Sequence, residues 1–237
     1  MRIAAVVTAA GSGSRLGADV PKALVPLSGR ALVAWAVVSV ADACDEIVVT
    51  APASHVAEVE AALLEVEALT GKPMLVIPGG AERQQSVSAA LDVLFAPGRP
   101  IPDVVLVHDA ARAFQDPAVA QAAINAVKGG ADGAIPVLAI VDTLVEAPAP
   151  TGELGATVPR ESLRAVQTPQ VFSGQALRAA HRDQPHAAAT DDAQLVRASG
   201  GRVVAVEGHE WGFKVTRPSD LPLAEHLAAQ LLSKENS

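Results

Sequence analysis

The 237 residues fit one α/β domain, or one domain with an appended arm, and half of them are hydrophobic, enough for a sizeable core. A formal net charge of -8, only 3% aromatic residues and 18 dispersed Lys and Arg leave neither a stacking platform nor a basic face, so no nucleic-acid partner is expected. The lone cysteine, Cys44, excludes an internal disulfide and a multi-thiolate zinc site.

Short β-branched runs alternate with longer helical patterns. Ile3–Thr8, Glu46–Thr50, Met74–Ile77 and Val104–His108 read as buried parallel strands. Between and after them lie four predicted helices: Ala31–Ala41, Ser54–Leu69, Glu82–Phe95 and Asp116–Val127. The last opens on Asp-Pro, a favourable cap and first-turn pair. The order implies a doubly wound, mostly parallel sheet with right-handed crossovers. The stretch Pro136–Arg164 then loses helical period and reads as an extended arm (137–164) with a turn near Pro148–Gly152, flanked by strand-like Val141–Val145 and Ala156–Val158. An unsupported hairpin is marginal in water, so the arm is expected to pack on a partner subunit. Beyond Ser162–Phe172, helices are predicted near Gly174–Arg182, at Asp191–Ser199 and from Pro218 to Leu232, with a strand at Arg202–Val206. There is no internal repeat, and a single domain, 1–237, is expected. No signal-peptide order precedes the first strand, and the apolar runs are too short or interrupted to span a bilayer; a cytoplasmic protein without a membrane partner is expected.

Ligands of such sheets bind outside the carboxyl ends of the strands. The loop after the first strand reads Thr8-Ala-Ala-Gly-Ser-Gly-Ser-Arg-Leu-Gly17, followed by Pro21-Lys22. Small residues and glycines let backbone N–H groups approach an anion. Leu16 breaks the dinucleotide fingerprint, and Lys22 between Pro21 and Ala23 breaks the Walker pattern. What remains is a glycine loop with two cations, Arg15 and Lys22, suited to a polyphosphate undergoing attack. At the end of the fourth strand, Asp109 suits a ribose hydroxyl or Mg²⁺, which takes few protein carboxylates when phosphates supply other ligands. His108 beside it reads as structural, and Lys214 taken alone is an exposed residue of an alternating strand.

In chain order, the pieces AAGSGSRLG, PK, GGAERQQSV, VHDAAR, DT, AVQTPQ, TDDA and FKVT resemble the 2-C-methyl-D-erythritol 4-phosphate cytidylyltransferase family over nearly the whole chain. The resemblance implies a Rossmann-like nucleotidyltransferase that joins CTP and methylerythritol 4-phosphate in non-mevalonate isoprenoid precursor synthesis, with release of pyrophosphate and use of Mg²⁺. Matched motif by motif, it implies Arg15, Lys22 and Lys214 as catalytic cations. Ala9, Ala10, Gly11 and Gly13 would line the phosphate and sugar path, and Gly80, Ala81 and Ser86 would hold cytosine. Asp109 would contact ribose or metal, with Ala110 nearby. Arg112, Thr143, Arg160, Thr168 and Thr190 would serve the second substrate, together with Lys214. Thr143 and Arg160 lie on the arm, which in the family exchanges across a homodimer. The chain departs from the family pattern at Ala81, where a polar residue is frequent, at Val141, Leu144 and Val145, where bases are frequent, and at Asp192, where glutamate is frequent. A ribitol 5-phosphate transferase, a non-catalytic nucleotide-binding module and a nicotinamide-dependent dehydrogenase are the competing readings; Leu16 and Thr50-Ala-Pro, without an acid after strand two, count against the last.

Overall fold

The computed structural model describes residues 1–11, 16–17, 20–148, 150–184 and 189–235. The strands are β1 (Ile3–Thr8), β2 (Pro26–Leu27), β3 (Arg30–Ala31), β4 (Glu46–Ala51), β5 (Met74–Pro78), β6 (Val104–Asp109), β7 (Gly133–Ala139), β8 (Leu144–Val145), β9 (Thr157–Val158), β10 (Arg164–Val166), β11 (Gln170–Ser173) and β12 (Val203–Glu207). The α-helices are α1 (Leu32–Ala41), α2 (Val56–Thr70), α3 (Arg83–Leu94), α4 (Pro117–Lys128), α5 (Gly174–Asp183), α6 (Asp192–Ala198) and α7 (Leu221–Glu235).

An eight-stranded sheet runs β10-β7-β11-β6-β1-β4-β5, with β12 also pairing with β7. β5, β4, β1 and β6 pair in parallel. β11 enters antiparallel between β6 and β7, and β12 joins β7 in parallel. The sheet is therefore mostly parallel, as expected, with one reversed stretch. β10 and β11 both run antiparallel to β7, pairing Val166 with Val137 and Val171 with Ala134. They are successive pieces of one irregular strand.

Sheet position explains the sequence pattern. In β1, Ala5 and Val7 face the layer built by α1, α2 and α4, while Ala4 and Val6 face α3, α5 and α6. Both faces are covered, so the strand shows no polar alternation. The alanines of β1 let helices approach closely. A third cluster lies at one end, where α7 packs Leu227 and Ala228 against Leu27, Trp35, Phe114 and Val215.

Two differences from the sequence expectations have local causes. β7 is a strand although Pro136 interrupts its sequence; the arm predicted from 137 begins inside it. Pro136 sits where the β7 edge changes partner from β11 to β10, a place where a missing donor does least harm to a ladder. Between β7 and β10, among the described residues, Leu144–Val145 pairs with Thr157–Val158 as a small separate sheet. Its surroundings expose Val141 and Leu154 at 80% and 75%.

Arg30 fastens the C-terminal helix. Its guanidinium lies 4.4 Å from the Trp35 ring centroid and pairs with Glu235 at 3.0 Å and Glu65 at 3.2 Å. The Trp35 indole N–H donates to the Leu27 carbonyl at 3.0 Å. Arg30→Ala leaves these carboxylates without their cation and a gap over the indole. The expected loss is about 2 kcal/mol, or a fall of roughly 4–8 °C in Tm for a chain of this size. Thermal unfolding followed by circular dichroism measures it.

Candidate active site

The carboxyl ends of β1, β5 and β6 open into one cleft of about 230 Å³. Thr8 to Gly11 line it from the end of β1 and the residues after it; Gly80, Ala81 and Glu82 from the turn after β5, with Arg83 and Ser86 from the first turn of α3; and Asp109 to Ala111 from the end of β6 and the residues after it. Lys22 and Lys214 complete the rim. Of the residues expected at a nucleotide site, the cleft thus brings together Ala9, Ala10, Gly11, Lys22, Gly80, Ala81, Ser86, Asp109, Ala110 and Lys214. Gly13 and Arg15 lie outside the described residues.

Backbone contact without side chains builds the wall between β1 and β5. The Ala9 N–H donates to the Thr50 carbonyl, and the Gly79 N–H to the Ala51 carbonyl, each at 2.8 Å. A Cβ on Gly79 would stand 2.4 Å from the Ala10 Cβ and 2.8 Å from the Ser86 Oγ. One on Gly80 would stand 2.3 Å from the Gln85 Cβ. The turn closes on itself: the Gly80 N–H donates to Ser86 Oγ at 3.0 Å, and Ser86 Oγ donates to the Glu82 carbonyl at 3.2 Å. Glu82 and Gln85 form a capping box at the start of α3.

Asp109 is the electrostatic centre. Its Oδ2 accepts from Lys214 Nζ at 2.8 Å, and its Oδ1 from Arg83 Nε at 3.0 Å and Thr8 Oγ1 at 3.3 Å. Burial opposes ionisation, but Arg83 and Lys214 outweigh it and hold the carboxyl well below the usual carboxylate range. Lys214 arrives from far along the chain, placed by the Val215 N–H on the Ala111 carbonyl at 2.9 Å.

Arg83 lies within the GGAERQQSV motif, but the sequence assigns it no role. It also donates from Nη1 to Asp192 Oδ2 at 2.6 Å. A signal was available: Arg83 is the first residue of α3, where the helix dipole disfavours a cation unless specific anions hold it.

A second network fixes the backbone under Asp109. Its N–H donates to Thr168 Oγ1 at 3.0 Å; that hydroxyl meets His108 Nδ1 at 2.9 Å, and His108 Nε2 meets the Arg112 carbonyl at 3.1 Å. The carbonyl can only accept, so Nε2 carries hydrogen and Nδ1 accepts from Thr168. Protonating His108 would reverse that contact and place a charge in a fully buried site. Burial accordingly pushes its pKa down to about 4.

The residues expected to serve a second substrate lie apart. Among the described residues lining the cleft, none of Arg112, Thr143, Arg160, Thr168 and Thr190 appears. Thr168 is buried in the network above. The Arg112 guanidinium donates to the Gly212 carbonyl at 2.7 Å and the Val166 carbonyl at 2.9 Å. Thr190 is exposed and accepts from Gln194 Nε2 at 2.6 Å. Thr143 and Arg160 are exposed near β8 and β9, where Arg160 Nη1 donates to the Val141 carbonyl.

Among the described residues, no group of three His, Cys, Asp or Glu converges as an all-protein metal cage. A Mg²⁺ that takes its other ligands from phosphate and water needs only one or two protein carboxylates, and Asp109 is the carboxylate that lines the cleft beside Lys22 and Lys214.

A Rossmann-like sheet whose switch-point cleft is lined by Gly11, two lysines and one strand-end carboxylate is the arrangement of a nucleotidyltransferase. A family model for 2-C-methyl-D-erythritol 4-phosphate cytidylyltransferase matches residues 3–230, and the chain belongs to that family. The protein of that name from Saccharopolyspora erythraea is 45% identical over 233 residues, covering 97% of this chain and 100% of the relative. The one from Streptomyces avermitilis is 46% identical over 237 residues, covering 97% and 92%. The crystal structure of the Thermus thermophilus protein of that name matches with a TM-score of 0.75 and 36% identity, covering 94% of this chain and 98% of that one.

The His108 contacts carry a pH signature. Its folded pKa, about 4, lies below the reference value of 6.5. Between these values the unfolded chain binds a proton that the native chain refuses, so stability falls as pH drops through this window. The depressed carboxyls of Asp109 and Asp192 contribute their losses only at lower pH. His108→Gln should flatten the dependence of unfolding free energy on pH between 6.5 and 4 by about one proton. Urea midpoints across that range test it, and an unchanged slope would overturn the assignment.

Proposed function

We propose that this chain transfers CMP from CTP to 2-C-methyl-D-erythritol 4-phosphate, giving 4-diphosphocytidyl-2-C-methyl-D-erythritol and pyrophosphate in non-mevalonate isoprenoid precursor synthesis. Family membership supports the substrates, and the observation that carries the chemistry is that Lys22 and Lys214 line the same cleft as Ala9, Ala10 and Gly11. A phosphate oxygen of the polyol attacks the α-phosphorus in line; the new P–O bond forms as the bond to the β-phosphate breaks. The attacking phosphate is already a nucleophile, so no protein nucleophile is required, and the residues act by positioning and charge stabilisation.

Ala9, Ala10, Gly11 and Gly13 present backbone to the phosphates and sugar. Arg15, Lys22 and Lys214 gather around the α-phosphate, where charge accumulates. The turn of Gly80, Ala81 and Ser86 takes cytosine, and its tight backbone limits the pocket to a pyrimidine. Asp109, with Ala110, faces the ribose. Asp109 would hold Mg²⁺ together with the triphosphate, and the ion would supply neutralisation of the leaving pyrophosphate. Lys214 must then exchange its contact with Asp109 for one with phosphate.

Arg112, Thr168, Thr190 and Lys214 are proposed to bind the polyol phosphate. Thr143 and Arg160 stand away from the cleft of their own chain, and their hairpin exposes Val141 and Leu154. We infer that the arm crosses a homodimer so that these two residues serve the partner's site. Among the described residues no helix is long and apolar enough to cross a membrane, and we place the enzyme in the cytoplasm.

Pyrophosphate release tests the reading. The expected outcome is turnover with CTP and methylerythritol 4-phosphate, little with other nucleoside triphosphates, little with ribitol 5-phosphate, and loss of turnover on chelation of divalent cations. CTP binding without pyrophosphate release would overturn it in favour of a binding module. Lys22→Ala should lower kcat by ~10²–10³, the scale of losing one charge-stabilising donor; near-normal kcat would remove Lys22 from the mechanism. Gly79→Ala should weaken CTP about tenfold or more by pushing Ala10 and Ser86 apart, with kcat at saturation less affected; titration calorimetry against CTP measures it.

A further inference from the structure

From the Asp109 oxygen that does not meet Lys214, a line of charge runs through half-buried Arg83 into the interior, and no role above explains it. Arg83 spans two carboxylates with different edges of its guanidinium, Nε to Asp109 Oδ1 at 3.0 Å and Nη1 to Asp192 Oδ2 at 2.6 Å. The second oxygen of Asp192 accepts from His181 Nε2 at 2.8 Å. Asp192 and His181 are 1% and 4% exposed. They come from two elements outside the nucleotide cleft, α6 and α5. Burial penalises the charge of Asp192, yet Arg83 and the His181 hydrogen bond hold its carboxyl below the usual range.

A buried carboxylate is costly unless paired and hydrogen-bonded. Asp192 is both, and its partner is the residue that grips Asp109. Without Asp192, Arg83 would have one anchor only, at the lip of a cleft built for polyphosphate. Its long side chain could then turn to the nucleotide phosphates, leaving Asp109 to Lys214 alone. The planar guanidinium makes the span rigid, since two N–H directions are fixed relative to one another.

We propose that Arg83 and Asp192, buttressed by His181, are positioning residues for the nucleotide: they act through Asp109 by fixing which oxygen it offers to the cleft. The assignment rests on Asp109 facing CTP. It predicts a split that a merely structural ion pair would not produce. Asp192→Asn, which preserves shape but removes charge, raises KM for CTP about tenfold and changes kcat less than about threefold. Arg83→Lys gives the same rise, because an ammonium offers no planar fork to bridge the two carboxylates. In an Asp109→Asn background, Asp192→Asn adds no more than about twofold to KM, because the route through Asp109 is already cut.

The experiment is steady-state pyrophosphate release with varied CTP for the wild type, the single variants and the double variant, with Tm measured for each. An unchanged KM for CTP in Asp192→Asn, or multiplicative effects in the double variant, overturns the proposal. If Asp192→Asn does not fold, His181→Gln takes its place, with a smaller rise in KM for CTP expected and an unchanged KM counting against. A wild type that releases no pyrophosphate from CTP sinks the functional reading instead, so the two failures are distinguishable.

Discussion

A carboxylate at the end of β6 holds together a site assembled from the whole length of the chain. Asp109 takes Thr8 from the first strand, Arg83 from the third helix and Lys214 from near the C-terminus. Two cations so close would repel each other without the anion between them. With it, burial strengthens the attraction that keeps Asp109 ionised. The neighbouring strands, the Thr168–His108 network and α6 all bear on the orientation of this group.

The parallel sheet makes that convergence possible. β1 and β6 are paired so that Thr8 stands directly beside Asp109. Their shared direction sends both following loops to one edge. Apolar faces above and below leave that edge as the outlet for polar side chains. Alanine and glycine contribute by what they lack: the Gly79 turn fits against Ala10 only because no side chain intervenes.

Much of this was legible in the sequence. Fully buried strands such as β4 and β6 appear as continuous apolar runs, and the glycine loop and Asp109 follow such runs at the ends where ligands bind. Lys214 was not legible on its own residues; an exposed lysine in an alternating stretch carries no mark of its partner 105 positions away. Its place came from the family resemblance. Arg83 and Asp192 escaped for the same reason, being 109 positions apart. β7 was obscured by Pro136, whose effect depends on which neighbour lies beside it, and the reversal of β11 is set by pairing that local propensity does not encode.

The order in which these pieces leave the ribosome has a consequence. Chains fold broadly from the N-terminus during synthesis. The glycine loop, the turn after β5 and Asp109 are all made within the first half of these 237 residues. Asp192 follows much later, and Lys214 only when the last helix is about to begin. A nascent chain, or one cut short before residue 214, carries Asp109 and Arg83 without Lys214. The pairing of Lys214 with Asp109 therefore waits until more than a hundred further residues have been made.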